Sequence, residues 1–249
     1  TGHCCPDHKA TRVRGTQSLS FFSVQKVSHV NMLVHLSRMK NLCIDNCSCI
    51  VSFSPSDSCE LTIDKNTVNK MVKLSENDRK ATEVKKDQSY PFHPDRFDHF
   101  EQLLCDTGLT GRCYWEVEWK GWVDISVSYK RISRNGKNDA CVFGRNDHSW
   151  RMTCSSGGYY VCHNDRKTTI PTSSSDSARV AVYVDYSAGT LSFYKVSPDK
   201  LIHLHTFYSK FTEPLYPGFG FFYWSGRIGS SVSLKEGAMI RDASVRVKK

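Results

Sequence analysis

The side chains best able to do metal or covalent chemistry in this chain are its eleven cysteines and ten histidines. His3, Cys4, Cys5 and His8 lie close together, and Cys43, Cys47, Cys49 and Cys59 form a second group. A structural zinc site needs two short knuckles that bring four ligands into a tetrahedron. Cys43 and Cys47 have knuckle spacing, but the step from Cys49 to Cys59 is too long. The reading is therefore no metal and no cofactor. No G-x-S-x-G elbow or other local nucleophile signature surrounds a Ser, Cys or His. Cys113, Cys141, Cys154 and Cys162 fall in predicted strands, where cysteine acts as a small buried hydrophobe. Asp124, Asp185, Glu116 and Glu118 could pair as acid and base. Each sits in an alternating strand or at a turn, and solvated strand faces account for them. The glycines form neither a P-loop nor a dinucleotide fingerprint. These residues point away from an enzyme.

Aromatic and arginine side chains in predicted loops are the better candidates, because such groups make the hot spots of protein interfaces. They are Tyr90 and Phe92, with Phe97 nearby; Tyr159 and Tyr160 after Ser155-Ser156-Gly157-Gly158; and Tyr223 and Trp224 before Ser225-Gly226. Arg131, Arg134, Arg166 and Arg227 supply charge beside them. For Tyr223 and Trp224 a second reading stands equally, in which Trp224 folds back as a lid over a sheet end.

The elements that must hold these residues are short strands. Tyr114 to Trp119 alternates Trp115, Val117 and Trp119 with Glu116 and Glu118, the period of two of a half-buried strand. Val123, Ile125, Val127 and Tyr129 repeat it against Asp124, Ser126 and Ser128. Further strands are expected over 141–144, 149–155, 159–164, 167–171, 179–186, 189–196, 201–207, 215–222 and 228–234. Many short strands with regular turn signals and no long helical pattern indicate an antiparallel sandwich. Gly189, in Asp185-Tyr186-Ser187-Ala188-Gly189-Thr190, is expected to supply the positive φ of a tight connection. Faces that alternate this cleanly imply burial on one side only, so two sheets cover each other. The fold class is all-β, a two-sheet antiparallel β-sandwich.

The chain is long enough for one large domain plus an appendage, and carries a net charge of +9. A basic balance fits nucleic acid, anionic membrane or acidic protein partners. The densest basic stretch, Lys130, Arg131, Arg134 and Lys137 around Asn135-Gly136, reads as the solvated tip of a hairpin, which makes nucleic acid the weaker partner. No apolar run of membrane-spanning length is present, and no signal peptide follows Thr1. The chain is read as a piece of a longer protein. Irregularly spaced cysteines, odd in number, suggest reduced thiols and a cytoplasmic location. Residues 1–58 are expected to be an irregular or disordered segment, with one short amphipathic helix conceivable over Val27 to Met39.

Several segments together resemble a known family. Cys59-Glu60-Leu61-Thr62-Ile63-Asp64, followed by Leu74-Ser75-Glu76-Asn77-Asp78-Arg79-Lys80, resembles the PRY segment. Gly111 to Glu118 looks like the opening SPRY signature. Ser149-Trp150-Arg151, Asp185 to Tyr194 and Leu215-Tyr216-Pro217-Gly218-Phe219 match its later motifs in order. One departure is Lys65, where the family usually has proline. The resemblance covers residues 59–236, with PRY over about 59–105, SPRY over about 106–236, and a basic tail over 237–249. The version here looks similar to modules at the C-termini of tripartite-motif proteins and of nucleotide-binding leucine-rich-repeat receptors, and stonustoxin-like venom subunits carry a similar one.

The resemblance implies a protein- or peptide-binding module that is not an enzyme and that uses variable loops at one end of the sandwich. Those loops would lie over 90–99, 130–139, 155–160, 163–167 and 222–227. It further implies the recognition part of an intracellular innate-immune or ubiquitin-ligase-type protein. The alternatives are a module of a secreted stonustoxin-like pore-forming toxin subunit, or a carbohydrate- or nucleic-acid-binding sandwich.

Overall fold

The computed structural model describes residues 43–44, 48–49, 54–171, 177–198, 200–221 and 229–235. The helix conceived over Val27 to Met39 and the tail over 237–249 lie outside the described residues. The strands, in chain order, are β1 (Cys43–Ile44), β2 (Ser48–Cys49), β3 (Val72–Ser75), β4 (Lys80–Glu83), β5 (Gln102–Leu104), β6 (Arg112–Lys120) and β7 (Val123–Tyr129). They continue as β8 (Ser149–Ser155), β9 (Gly158–His163), β10 (Arg166–Ile170), β11 (Arg179–Asp185), β12 (Thr190–Val196), β13 (Leu201–Tyr208), β14 (Leu215–Phe221) and β15 (Ser231–Leu234). Two antiparallel sheets result: a seven-stranded one ordered β13-β12-β11-β6-β15-β4-β3 and a six-stranded one ordered β10-β9-β8-β7-β14-β5. The all-β, two-sheet class expected from the alternation is the class found. Among the described residues β1 and β2 pair only with each other. No helix among the described residues is long and apolar enough to cross a membrane.

The period of two explains the core. Trp115, Val117 and Trp119 of β6 join Val180, Val182 and Val184 of β11 in one cluster with Val123, Ile125 and Val127 of β7. Trp150 of β8, fully enclosed, lies parallel to the His163 ring at 4.6 Å and meets Tyr129 and Phe211 edge-on. Such offset and edge contacts add to the area these rings remove from water. Gly189 has the positive φ expected of it, 67°, and its α-carbon packs so close to the Ser209 carbonyl that no Cβ would fit. At Lys65 the turn forms without proline. Asp64 accepts the Asn66 N–H on its side chain and the Thr67 N–H on its carbonyl, both at 3.0 Å.

One expectation fails on the six-stranded sheet. β7 and β8 are buried at every position, not on one side only. The cover is a second, smaller cluster of Phe97, Leu104, Ile132 and Phe143, packed on the outer face with Tyr216. The chain reaches that face because residues 130–148 do not form a hairpin around Asn135-Gly136. They run back over the sheet as a long connection. Residues 141–144, expected as a strand, are instead a 3-10 turn (Asp139–Cys141) and an irregular stretch. The Gln102 side chain replaces the ladder there: its amide donates to the Cys141 carbonyl at 2.7 Å and its oxygen accepts the Phe143 N–H at 2.9 Å.

Sulfur chemistry also differs from the expectation of reduced thiols throughout. Ser58 bridges Tyr114, and the Cys59 N–H donates to the Tyr114 carbonyl at 3.0 Å. That register sets Cys59 beside Cys113, their α-carbons 5.5 Å apart and their sulfurs joined as a disulfide. Cys105, Cys141, Cys154 and Cys162 are free and buried. The fold also begins earlier than residue 59, since Asp57 is buried and accepts a hydrogen bond from Tyr183 at 3.4 Å.

The doubly covered sheet has a tight point at Gly218 of β14. An added Cβ would stand 2.8 Å from Phe143 Cζ and 2.9 Å from both the Leu103 carbonyl oxygen and Leu104 Cδ2. Gly111 has nothing within 4 Å. Overpacking of this kind costs about 1–3 kcal/mol. In urea denaturation, Gly218→Ala is expected to lose stability on that scale and Gly111→Ala to stay within about 0.5 kcal/mol of wild type; equal effects would contradict the double-covered sheet.

Candidate binding cleft on the outer face of the six-stranded sheet

Antiparallel pairing of β7 with β8 sets Asp124 opposite Thr153 and Ser126 opposite Arg151, all on the outward face. Asp124 and Arg151 are each only 4% exposed. The Thr153 hydroxyl donates to one Asp124 oxygen, and the Arg151 guanidinium donates to the other at 3.4 Å. Burial is the main influence on the Asp124 carboxyl and raises its pKa, with Arg151 and Thr153 pulling the other way. The Arg151 Nε is buried without an acceptor. Its guanidinium lies 5.8 Å from the Tyr160 ring centroid, and the Lys167 ammonium lies 3.7 Å from the same ring.

Asp124 and Arg151 floor a cleft of about 1000 Å³, the upper end of the size usual for ligand sites. One wall is the 69–71 and 98–102 stretches, including Met71, Phe100 and Glu101; the other is Lys137, Val142 and Arg145, with Phe221 at the end. The first wall is braced within itself and tied to the connection that carries the second. The Asn69 amide donates to the Phe97 and Asp98 carbonyls at 3.0 and 3.2 Å. The Asp98 carboxylate accepts the Gly136 N–H at 3.2 Å. Arg134 donates to the carbonyls of Asp95, Lys130 and Ile132 while its guanidinium packs 4.7 Å from the Phe97 ring centroid. A second hollow of about 630 Å³, beside Tyr186 to Gly189 and Tyr208 to Phe211, has Lys210 as its one charged lining residue.

Not every residue nominated from the sequence is presented to solvent. Arg134 is buried, and its donors are spent on backbone carbonyls, so it braces the loop and carries no rim charge. Tyr159 is in the core, edge-on to Trp119 at 6.2 Å, because the turn before it ends at Gly158 and β9 alternates inward from there. Tyr90 is half-buried, donates to the Val72 carbonyl at 3.0 Å and carries Arg96 over its ring. Phe92 stands 94% exposed. Arg131 and Arg166 are exposed, Arg131 in an ion pair with Glu213 and in contact with His148. Tyr160 is half-buried, its ring between the Arg151 guanidinium and the Lys167 ammonium. Tyr223, Trp224 and Arg227 lie outside the described residues.

The nominated positions also do not share one end of the sandwich. Val123 pairs with Cys154 and Phe221, whereas Tyr129 pairs with Leu215. The 155–158 turn and the end of β14 therefore sit at one pole. Arg131 and the Asn164-Asp165 turn before Arg166 sit at the other, about 20 Å away along β7. The physical reason is plain: successive turns of an antiparallel meander alternate ends.

Sequence reasoning missed the floor. It read Asp124 and Glu116 as solvated, yet both are buried, Glu116 in contact with Tyr114 at 2.7 Å and Arg179 at 2.7 Å. The usable signal was an Asp and an Arg on the polar faces of adjacent strands. The zinc candidates fare differently. His3, Cys4, Cys5 and His8 and the side chains of Cys43, Cys47 and Cys49 lie outside the described residues, and Cys59 is bonded to Cys113. Among the described residues no cluster of three or more His, Cys, Asp or Glu could hold a metal.

Comparison with known proteins agrees with the fold. The SPRY domain model matches residues 112–231, and the SPRY-associated domain, PRY, matches residues 61–109. Stonustoxin subunit alpha of Synanceia horrida is 43% identical over 164 residues, which is 65% of this chain and 23% of that protein. Tripartite motif-containing protein 16 of Mus musculus is 34% identical over 166 residues, 65% of this chain and 29% of that protein. The chain thus spans less than a third of these curated relatives. Among solved structures, that of stonustoxin is similar with a TM-score of 0.67 and 39% identity, over 72% of this chain and 29% of that one. The TRIM65 PSpry domain shares the fold with a TM-score of 0.65 and 24% identity, over 73% of this chain and 92% of that one.

Two outcomes follow from the buried charges in and near the cleft. Arg151→Met strands the buried Asp124 carboxylate and is expected to cost about 3–5 kcal/mol in chemical denaturation at pH 7, with Asp124→Asn added to it recovering a large part; a double variant as unstable as the single one would refute the pairing. Glu83, at the end of β4, is pushed to a pKa of about 7, chiefly by burial, with the Glu101 charge adding and a Ser230 hydrogen bond opposing. The folded state thus holds this proton more tightly than the unfolded chain, whose value is near 4.5. That contribution is complete below pH 4.5 and is lost as pH rises towards 7. Glu83→Gln is expected to flatten stability across that window and to stabilise at pH 8; an unchanged slope in thermal melts would oppose it.

Proposed function

Residues 61–231 make this chain a member of the PRY–SPRY family, and from that premise we propose that it is a recognition module that docks a segment of another protein in the Asp124–Arg151 cleft. The observation that carries the reading is the cleft's construction. A rigid two-strand floor holds a buried ion pair, and the walls present Met71, Phe100, Val142 and Phe221 as apolar surface. Binding energy concentrates where apolar and aromatic groups are desolvated around a few fixed polar ones. Loops braced on a scaffold supply that arrangement without disturbing the core. The action is docking alone: no step of bond-making is assigned to these side chains.

The parent context is read as an intracellular recognition protein of the tripartite-motif type. A second reading, a subunit of a stonustoxin-like toxin, is favoured by the 43% identity to stonustoxin subunit alpha. Both readings use the same module, so the cleft is the site to test.

Peptides selected from a random library displayed on phage provide that test. Phe100→Ala and Val142→Glu are expected to weaken the selected peptides about 30-fold or more, the effect of losing a hot-spot contact of about 2 kcal/mol. Phe92→Ala, on the exposed 91–93 stretch, is expected to change affinity less than about two-fold on the same scale. The opposite ranking in a fluorescence titration would move the site away from the cleft.

A further inference from the structure

Resting on the docking reading, we infer that the segment bound in this cleft presents a carboxylate, an Asp or Glu side chain flanked by apolar residues, to the Nε edge of Arg151. Arg151 is the buried cation of the site and is incompletely used. One of its terminal nitrogens faces Asp124 at 3.4 Å and the guanidinium also meets the Cys162 thiol of the neighbouring strand, while its Nε–H is enclosed with no acceptor of its own. A buried donor without an acceptor is rare in folded proteins, and a guanidinium edge suits a carboxylate more closely than any other side chain. Asp124 is not free to supply a second oxygen, because it already accepts from Thr153 and from the other side of the same guanidinium.

The remaining charges favour the same ligand. Of the acids lining the cleft, Asp98 is engaged by the Gly136 N–H, and burial holds the Glu101 carboxyl above the usual carboxylate range. Arg145 is paired with Asp139 at 3.0 Å, whereas Lys137 stands exposed at the mouth without an ion pair among the described residues. The floor therefore offers one unanswered cationic donor, with a second cation at the entrance. Val142 and Phe221 line the same cleft, which favours a singly charged group with apolar neighbours over a phosphate.

The test follows the arginine Nε–Hε resonances of the ¹⁵N-labelled 249-residue chain by NMR. The probes are acetyl-Leu-Glu-Leu-amide, its Gln and Lys counterparts, and inorganic phosphate. The Glu peptide is expected to shift the Arg151 signal saturably and to bind about ten-fold more tightly than the Gln peptide, the usual margin of a charge-assisted hydrogen bond. Lys137→Gln is expected to weaken the Glu peptide about two-fold while leaving the Gln peptide unchanged. Equal binding of Glu and Gln peptides, with shifts at Val142 and Phe221, would overturn the carboxylate inference and leave docking intact. A larger Arg151 response to phosphate, or preference for the Lys peptide, would also overturn it. No response of any cleft signal to any probe would remove both readings together.

Discussion

A polar strand face that is taken out of water must be covered by groups that answer its hydrogen bonds, and the outer face of β7 and β8 imposes that demand on the rest of this molecule. Asp124, Ser126, Ser128, Arg151 and Thr153 all lie on it and all are buried. Removing an ion pair from water is costly unless geometry and extra hydrogen bonds offset it. The Thr153 hydroxyl on Asp124 supplies one such bond, and packing under the 130–148 connection excludes water from the remainder. The double cover of the six-stranded sheet, the small second core and the cleft are consequences of that one polar face.

The covering segments need anchoring of their own, and most of it is side chain to backbone. Gln102 clamps the Cys141–Phe143 stretch, Asn69 holds the Phe97–Asp98 turn, and Arg134 gathers three carbonyls from two connections. Irregular backbone laid over a sheet has unpaired carbonyls and N–H groups that must be satisfied somewhere. Long polar side chains do this where no ladder can form. The result is a cleft whose walls are loops by secondary structure but braced as firmly as strands, which is what a binding site requires if little affinity is to be lost in ordering it.

The PRY segment is a structural part of this arrangement. Its β3–β4 hairpin closes one edge of the seven-stranded sheet, while β5 closes the edge of the other beside β14. One short stretch of chain thus ties both layers and supplies one wall of the cleft. The Cys59–Cys113 bond and the Ser58–Tyr114 bridge fasten its beginning to β6. In this way the two family segments form a single body around one site.

The period-two rows of β6, β7 and β11, the turn residues and the ordered motifs are local properties of the chain, so the all-β class, the two sheets and the family were legible in the sequence. Much of the site was not. Alternation tells which residues share a face, but it does not say what covers that face, and Asp124 and Arg151 looked like ordinary solvated polar positions. Likewise an arginine in a loop reads as surface charge, whereas Arg134 is buried because its carbonyl partners come from both the 91–97 and 130–134 stretches. The alternation of turns between the two poles could have been drawn from strand order alone, and would have separated Arg166 from Tyr160. Pairing within a strand face is a short-range matter that the sequence carries. Which long connection folds over that face depends on contacts between residues far apart in the chain, and only the tertiary structure decides it.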